Sequence, residues 1–264
     1  MRNIVVWGAC AIGFAIALGA CGSSEGGAKS SQNPGDSGTI DLGDANVEVE
    51  AGTGPTPVDG GFPFDGGVLA VDRFVTSVVN FSPGSCGGFG SDGLPTVIEG
   101  PPVGGGADEG SLDVVSLGSG GSITLSFSPN AIVDGNGPDF IVFENAFLTN
   151  PSDPSSVYAE PGEVSVSDDG TTWTTFPCTA TAYPYGACAG WHPVLSSPEN
   201  GVDPADPTAA GGDAFDLHDV GVTHAKYVRI VDKTTGEECP TSGAKPTKNG
   251  FDLDAVVIVN AETP

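Results

Sequence analysis

The chain predicts an all-β domain, a jelly-roll-like β-sandwich of about eight strands preceded by a disordered tether. Three observations carry that expectation. Of 264 residues, 41 are Gly and 22 are Pro, a usage that favours turns over long helices. No stretch keeps a helical period for more than a turn or two. Apolar runs of strand length recur between turn signals such as Asp134-Gly-Asn-Gly137, Asp168-Asp-Gly170 and Gly118-Ser-Gly-Gly121.

The elements follow in order. Residues 1–20 read as an export signal, with Arg2 in a short n-region and an apolar run from Ile4 to Leu18 too short for a comfortable membrane span. The run ends in Leu18-Gly-Ala-Cys21, which resembles the lipobox of bacterial lipoproteins. That resemblance implies cleavage before Cys21, lipidation of Cys21 and anchoring to the bacterial cell envelope, at the outer membrane or cell surface. Residues 21–67 form a flexible acidic tether. From Gly22 to Gly67 there are twelve Gly, eight acids and a single Lys29, too little apolar surface to offset chain entropy.

The domain, 68–262, opens with Val71, Phe74, Val75, Val78, Val79 and Phe81, which lead into a turn at Ser82-Pro-Gly84. Strand-length runs follow at Leu94–Ile98, Leu112–Leu117, Ile123–Phe127, Asp139–Phe143, Val164–Ser167, Thr172–Phe176, Tyr227–Val231 and Phe251–Val259. Val164 to Trp173 reads as a hairpin around an Asp-Gly turn, with Trp173 pointing into the core.

The last run is the most informative. Simple alternation places Phe251, Leu253, Ala255 and Val257 on one face, and Asp252, Asp254, Val256 and Ile258 on the other. Two carboxylates one pleat apart on an apolar strand are costly to bury without a positive partner. The segment Gly211-Gly-Asp-Ala-Phe-Asp-Leu217 repeats the same Phe-Asp-Leu core. Glu144, Asn145, Asp213, Asp216, Asp252 and Asp254 are therefore candidate ligands of one Ca²⁺ ion, which takes six to eight oxygen donors. No EF-hand spacing is present, so such a site has to be assembled across strands and loops.

The net charge is −26, and no Lys or Arg occurs between Arg73 and Lys226. That balance excludes nucleic acid as a partner and suits cations or solubility outside a cell. Apart from Cys10 and Cys21, four Cys remain, and the favoured pairing is Cys178–Cys188 and Cys86–Cys239. Tyr183, Tyr185, Trp191 and His192 crowd the loop that the first of these would close, as a ligand surface or as a cover for the open end of the sandwich. No nucleophile elbow, phosphate loop or zinc-protease helix occurs, which favours binding over catalysis.

Val115–Phe127, Asp139-Phe-Ile-Val-Phe-Glu-Asn145, Glu163–Trp173 and Gly250-Phe-Asp-Leu-Asp-Ala-Val256 together resemble a poorly characterised family of bacterial cell-surface proteins. The resemblance implies a galactose-binding-like or carbohydrate-module-like sandwich. The expectation is thus a lipid-anchored binding protein, Ca²⁺-stabilised, recognising a glycan or protein partner. The alternatives are a glycan hydrolase using a carboxylate pair and a structural envelope lipoprotein without a small ligand.

Overall fold

The computed structural model describes residues 73–235 and 250–262. Among them every regular element is a strand or a 3₁₀ turn of three or four residues. The fold is all-β, as the sequence predicts. The signal segment, the tether, Cys21 and Cys239 lie outside the described residues.

The largest sheet runs, in spatial order, Ser77–Ser82, Ser122–Ser126, Tyr227–Asp232, Gly162–Ser167 and Cys188–Ala189, with Thr174–Thr175 also on Gly162–Ser167. A second sheet places Phe140–Phe143 between Asp213–Phe215 and Ala255–Ile258. A third places Ala131–Val133 between His224–Ala225 and Ala261–Glu262. Asp252–Leu253 pairs with Val115–Ser116, and Phe147–Leu148 with Val157–Tyr158. All pairings are antiparallel.

Register explains the core. Val228 lies between Leu125 and Val166, and Ile230 between Ile123 and Val164, so one face of the large sheet is uniformly apolar. That face packs against Phe140, Val142, Phe215, Val256 and Ile258 of the second sheet. The intervening Ile141, Phe143, Ala255 and Val257 point the other way, into a smaller cluster with Phe74, Val194 and Ala210. Phe140–Phe143 and Ala255–Ile258 are therefore buried on both faces, which is why they read as unbroken apolar runs. Each such side chain contributes about 1.5–3 kcal/mol on full burial.

Three expectations change. Leu94–Ile98 is not a strand: 3₁₀ turns occupy Ser91–Gly93 and Thr96–Ile98, and only Ile98 of the latter is buried. Trp173 is half-buried on the outer face beneath the Arg229 guanidinium, 4.3 Å from its ring, rather than in the core. The alternation along Phe251–Val259 breaks at Asp254. Residues before it pair with Val115–Ser116 and those after it with Phe140–Phe143. Crossing between sheets resets the side-chain phase, so Phe251 and Leu253 share the main core with Val256 and Ile258, not with Ala255 and Val257.

The hairpin stands as expected. Ser165 faces Thr175 and Val166 faces Thr174. Asp169 accepts from Thr171 N and Thr172 N, at 2.7 and 2.6 Å, inside the turn.

Candidate functional site

The strand Phe140–Phe143 runs straight into Glu144 and Asn145 beside the sheet crossing, so two acidic segments distant in sequence converge there. Glu144 is 2% exposed. Its Oε1 accepts from Asp252 N at 3.2 Å, while its buried Oε2 has no hydrogen-bond partner. Both oxygens of Asp254 accept from one donor, Val103 N, at 3.1 Å. Asp252 is held by side-chain hydrogen bonds from Ser116 and Asn145.

The loop around 103–111 lies over these groups. Asn145 Oδ1 accepts from Ser111 N and pins the loop down. Gly110 has to be Gly there, because a Cβ would sit 2.3 Å from Asn145 Oδ1. A narrow recess, too tight to admit a water molecule, lies between loop and sheet, and Glu109, Glu144, Asn145 and Asp254 line it.

Burial raises the carboxyl of Glu144 well above its ordinary value, helped by the charges of Asp252 and Glu160. Burial likewise moves Asp252 to about 6 and Asp254 to about 8. These acids resist ionisation and hold their protons unless a cation compensates the charge.

A second acidic group forms at the opposite end of the same strand. Oxygens of Asp134, Asp139 and Asp216 all lie within 4.8 Å of one another, and such a triad can hold a metal ion. Its central member is already engaged. Asp139 Oδ1 accepts from Gly135 N and Asn260 Nδ2, each at 2.8 Å, and Oδ2 accepts from Leu217 N at 2.8 Å. Asp216 caps the turn Leu217–Val220 by accepting from His218 N at 2.9 Å.

Thus the six acids and amides expected at one ion do not meet at one point. Glu144, Asn145 and Asp254 line the recess with Asp252 hydrogen-bonded beside them, whereas Asp216 belongs with Asp134 and Asp139. The two Phe-Asp-Leu segments supply core residues in parallel but send their Asp side chains to different places. Asp213 is near enough to Glu144 for its charge to act there. Its own oxygens, however, serve another loop. Oδ2 accepts from Gly190 N at 2.7 Å and Trp191 N at 3.2 Å, and Oδ1 pairs with His192 Nδ1 at 2.7 Å.

That loop carries the aromatic cluster. Cys178 and Cys188 form the expected disulfide. Cys86 is also disulfide-bonded, and its expected partner, Cys239, lies outside the described residues. Trp191 Nε1 donates to Cys188 O at 2.9 Å. The rings of Tyr183 and Tyr185 meet Trp191 edge-on at 5.7 and 6.1 Å between centroids. Tyr183 is 43% exposed and the His192 side chain 49% exposed. A half-exposed, rigidly mounted aromatic surface with an imidazole at its rim can stack on apolar ligand faces and hydrogen-bond their edges.

Sequence reading missed Glu109, Glu160 and the whole 103–111 loop. Glu160 Oε1 accepts from Gly250 N at 3.0 Å and sits close enough to raise Glu144. The loop's one signal was its run Gly104-Gly-Gly106 followed by Asp108-Glu109, which reads equally as a solvated turn. No family model and no curated protein matches the chain.

Proposed function

We propose that this chain is a lipid-anchored cell-surface protein whose Ca²⁺-stabilised β-sandwich binds a glycan or a protein partner through its aromatic face. The observation that carries the reading is the cluster of Tyr183, Tyr185 and Trp191 with His192 at its edge. Four constraints fix it: the Cys178–Cys188 bond, Trp191 Nε1 on Cys188 O, and the two backbone donors that Asp213 accepts. Pre-organised aromatic side chains lose little entropy on binding and are the commonest energetic anchors of recognition surfaces. Between the two partner classes, glycan has the better support. Sugar rings offer C–H faces to aromatic rings and hydroxyls to His192, and the acidity of the chain places no demand on such a neutral ligand.

Anchoring follows from the lipobox-like Leu18-Gly-Ala-Cys21, and Ca²⁺ from the buried acids that lack compensating cations. A glycan array probed with the full chain tests the binding claim. Binding to at least one glycan class is expected, with Trp191→Ala abolishing it at unchanged melting temperature. Retention of all binding by Trp191→Ala and Tyr183→Ala sinks the aromatic face as the site. Hydrolysis of the bound glycan would transfer the reading to a hydrolase.

A further inference from the structure

Acidic clusters on protein surfaces are common, so the group at the recess has weight only because of a second feature. Glu144 Oε2 is a buried carboxyl oxygen without a donor, at 2% residue exposure, and no other acid among the described residues has a buried oxygen left so. Asp232 is the comparison. It is equally buried, yet it accepts from Gly120 N, Thr234 N, Thr234 Oγ1 and Phe251 N. Leaving one carboxylate oxygen bare costs the full desolvation penalty of that group. Glu144 has to keep a proton or gain a cation, whereas the chain itself supplies Asp232 with donors.

We propose that the recess between the 103–111 loop and the sheet crossing is a Ca²⁺ site, with Glu144, Asp254 and Glu109 as its carboxylate ligands. This rests on the Ca²⁺ part of the reading above and replaces the six-residue ligand set with a located one. All three line the recess, Glu144 at the end of its strand, Asp254 at the sheet crossing and Glu109 on the loop. Asp254 has lone pairs to spare, since its two oxygens share a single N–H. Asn145 is a positioning residue: it pins the loop through Ser111 N and steadies Asp252, which in turn donates its N–H to Glu144.

The acids at the recess are not drawn together as the Asp134–Asp139–Asp216 group is, as expected of like charges with nothing between them. Neither His nor Cys lines the recess, so the donor set is all oxygen, which suits Ca²⁺ and disfavours zinc or copper. Ca²⁺ also tolerates the irregular geometry a loop and a strand end provide, where Mg²⁺ demands a regular octahedron.

Calorimetric titration of the chelator-stripped full chain with CaCl₂ is the test. One ion per chain and a rise in melting temperature are expected. Glu144→Gln and Asp254→Asn should each weaken binding about tenfold or more, while Asp216→Asn leaves it unchanged. In chelator, Glu144→Gln should melt at or above the parent temperature, because the amide fills the same place and never has to be buried as a charge, and this separates lost ligation from lost folding. Two results overturn the inference. Absence of heat and of any melting shift removes Ca²⁺ altogether. Binding that survives Glu144→Gln and Asp254→Asn but is lost in Asp216→Asn moves the ion to the triad, with Ca²⁺ stabilisation itself still standing. Neither result bears on glycan binding, which is read separately at Trp191.

Discussion

The two acidic groups at opposite ends of Phe140–Phe143 invert what proximity alone suggests. In the Asp134–Asp139–Asp216 group the carboxylates approach most closely, yet Asp139 has three donors and joins the segments of Gly135, Leu217 and Asn260. At the recess the acids stand further apart, yet Glu144 keeps a bare oxygen. The two groups differ in unsatisfied valence, not in crowding of negative charge. The first is a staple made of hydrogen bonds, and the second carries the proposed Ca²⁺ site.

The largest effect that sharpens this contrast is at the staple. Asp139→Ala leaves three donors, the buried Leu217 N among them, without their acceptor and should destabilise the domain by about 3–5 kcal/mol. Urea unfolding in chelator and in Ca²⁺ measures it, and the loss should be the same in both. A loss that Ca²⁺ restores would make Asp139 a ligand after all.

Next in size is a pH effect at the recess. Asp252 and Asp254 titrate at about 6 and about 8 when folded, against about 3.9 in an unfolded chain. Between those values the native state binds more protons than the unfolded state, so stability without a cation falls as pH rises from about 4 through about 8. The decline should be several kcal/mol, at about 1.4 kcal/mol per pH unit for each shifted carboxyl. Saturating Ca²⁺ should reverse the trend, because the ion binds only deprotonated ligands. Unfolding midpoints at pH 5 and pH 8, with and without chelator, decide it, and a flat chelator profile would contradict the assignment.

The aromatic loop should respond independently of both groups. Replacing Cys178 and Cys188 by Ala reopens a loop spanning a sequence separation of 10, at about 2–3 kcal/mol. Glycan affinity should fall further than stability alone requires, because Trp191 leans on Cys188 O. Ca²⁺ affinity should not change. Parallel calorimetry on glycan and on Ca²⁺ checks the separation.

How much of this was legible in sequence divides along the same line. The sheet strands were legible because burial on one or both faces writes itself as alternation or as a continuous run, as in Phe140–Phe143 and Tyr227–Asp232. Ten of the sixteen strand segments among the described residues are only two or three residues long, among them Cys188–Ala189 and His224–Ala225. No periodicity can be written in so few positions. Glu144, Asn145, Asp252 and Asp254 were legible as acids out of place on apolar strands. That Asp216 parts from them was not, since the same Phe-Asp-Leu letters serve two cores and only the strand partners distinguish them. The shift of phase at Asp254 was hidden for a related reason: a chain that changes sheets keeps its composition while losing its alternation.

The smallest effect probes the loop that sequence left blank. Gly110 leaves no room for a side chain, since a Cβ would lie 2.3 Å from Asn145 Oδ1 and 3.0 Å from Asn145 O. Gly110→Ala should therefore lift the 103–111 loop off Asn145 and cost about 1 kcal/mol of stability. Gly100 and Gly106 offer a control, because a Cβ at either meets nothing within 4 Å, although their φ of 94° and 93° adds backbone strain. If the loop only covers the sheet, Gly110→Ala and Gly106→Ala should lose similar stability and neither should alter Ca²⁺ binding. If the loop presents Glu109 to the ion, Gly110→Ala should also weaken Ca²⁺ by several-fold while Gly106→Ala does not, because only the first displaces the Asn145 contact that sets the loop's height above Glu144.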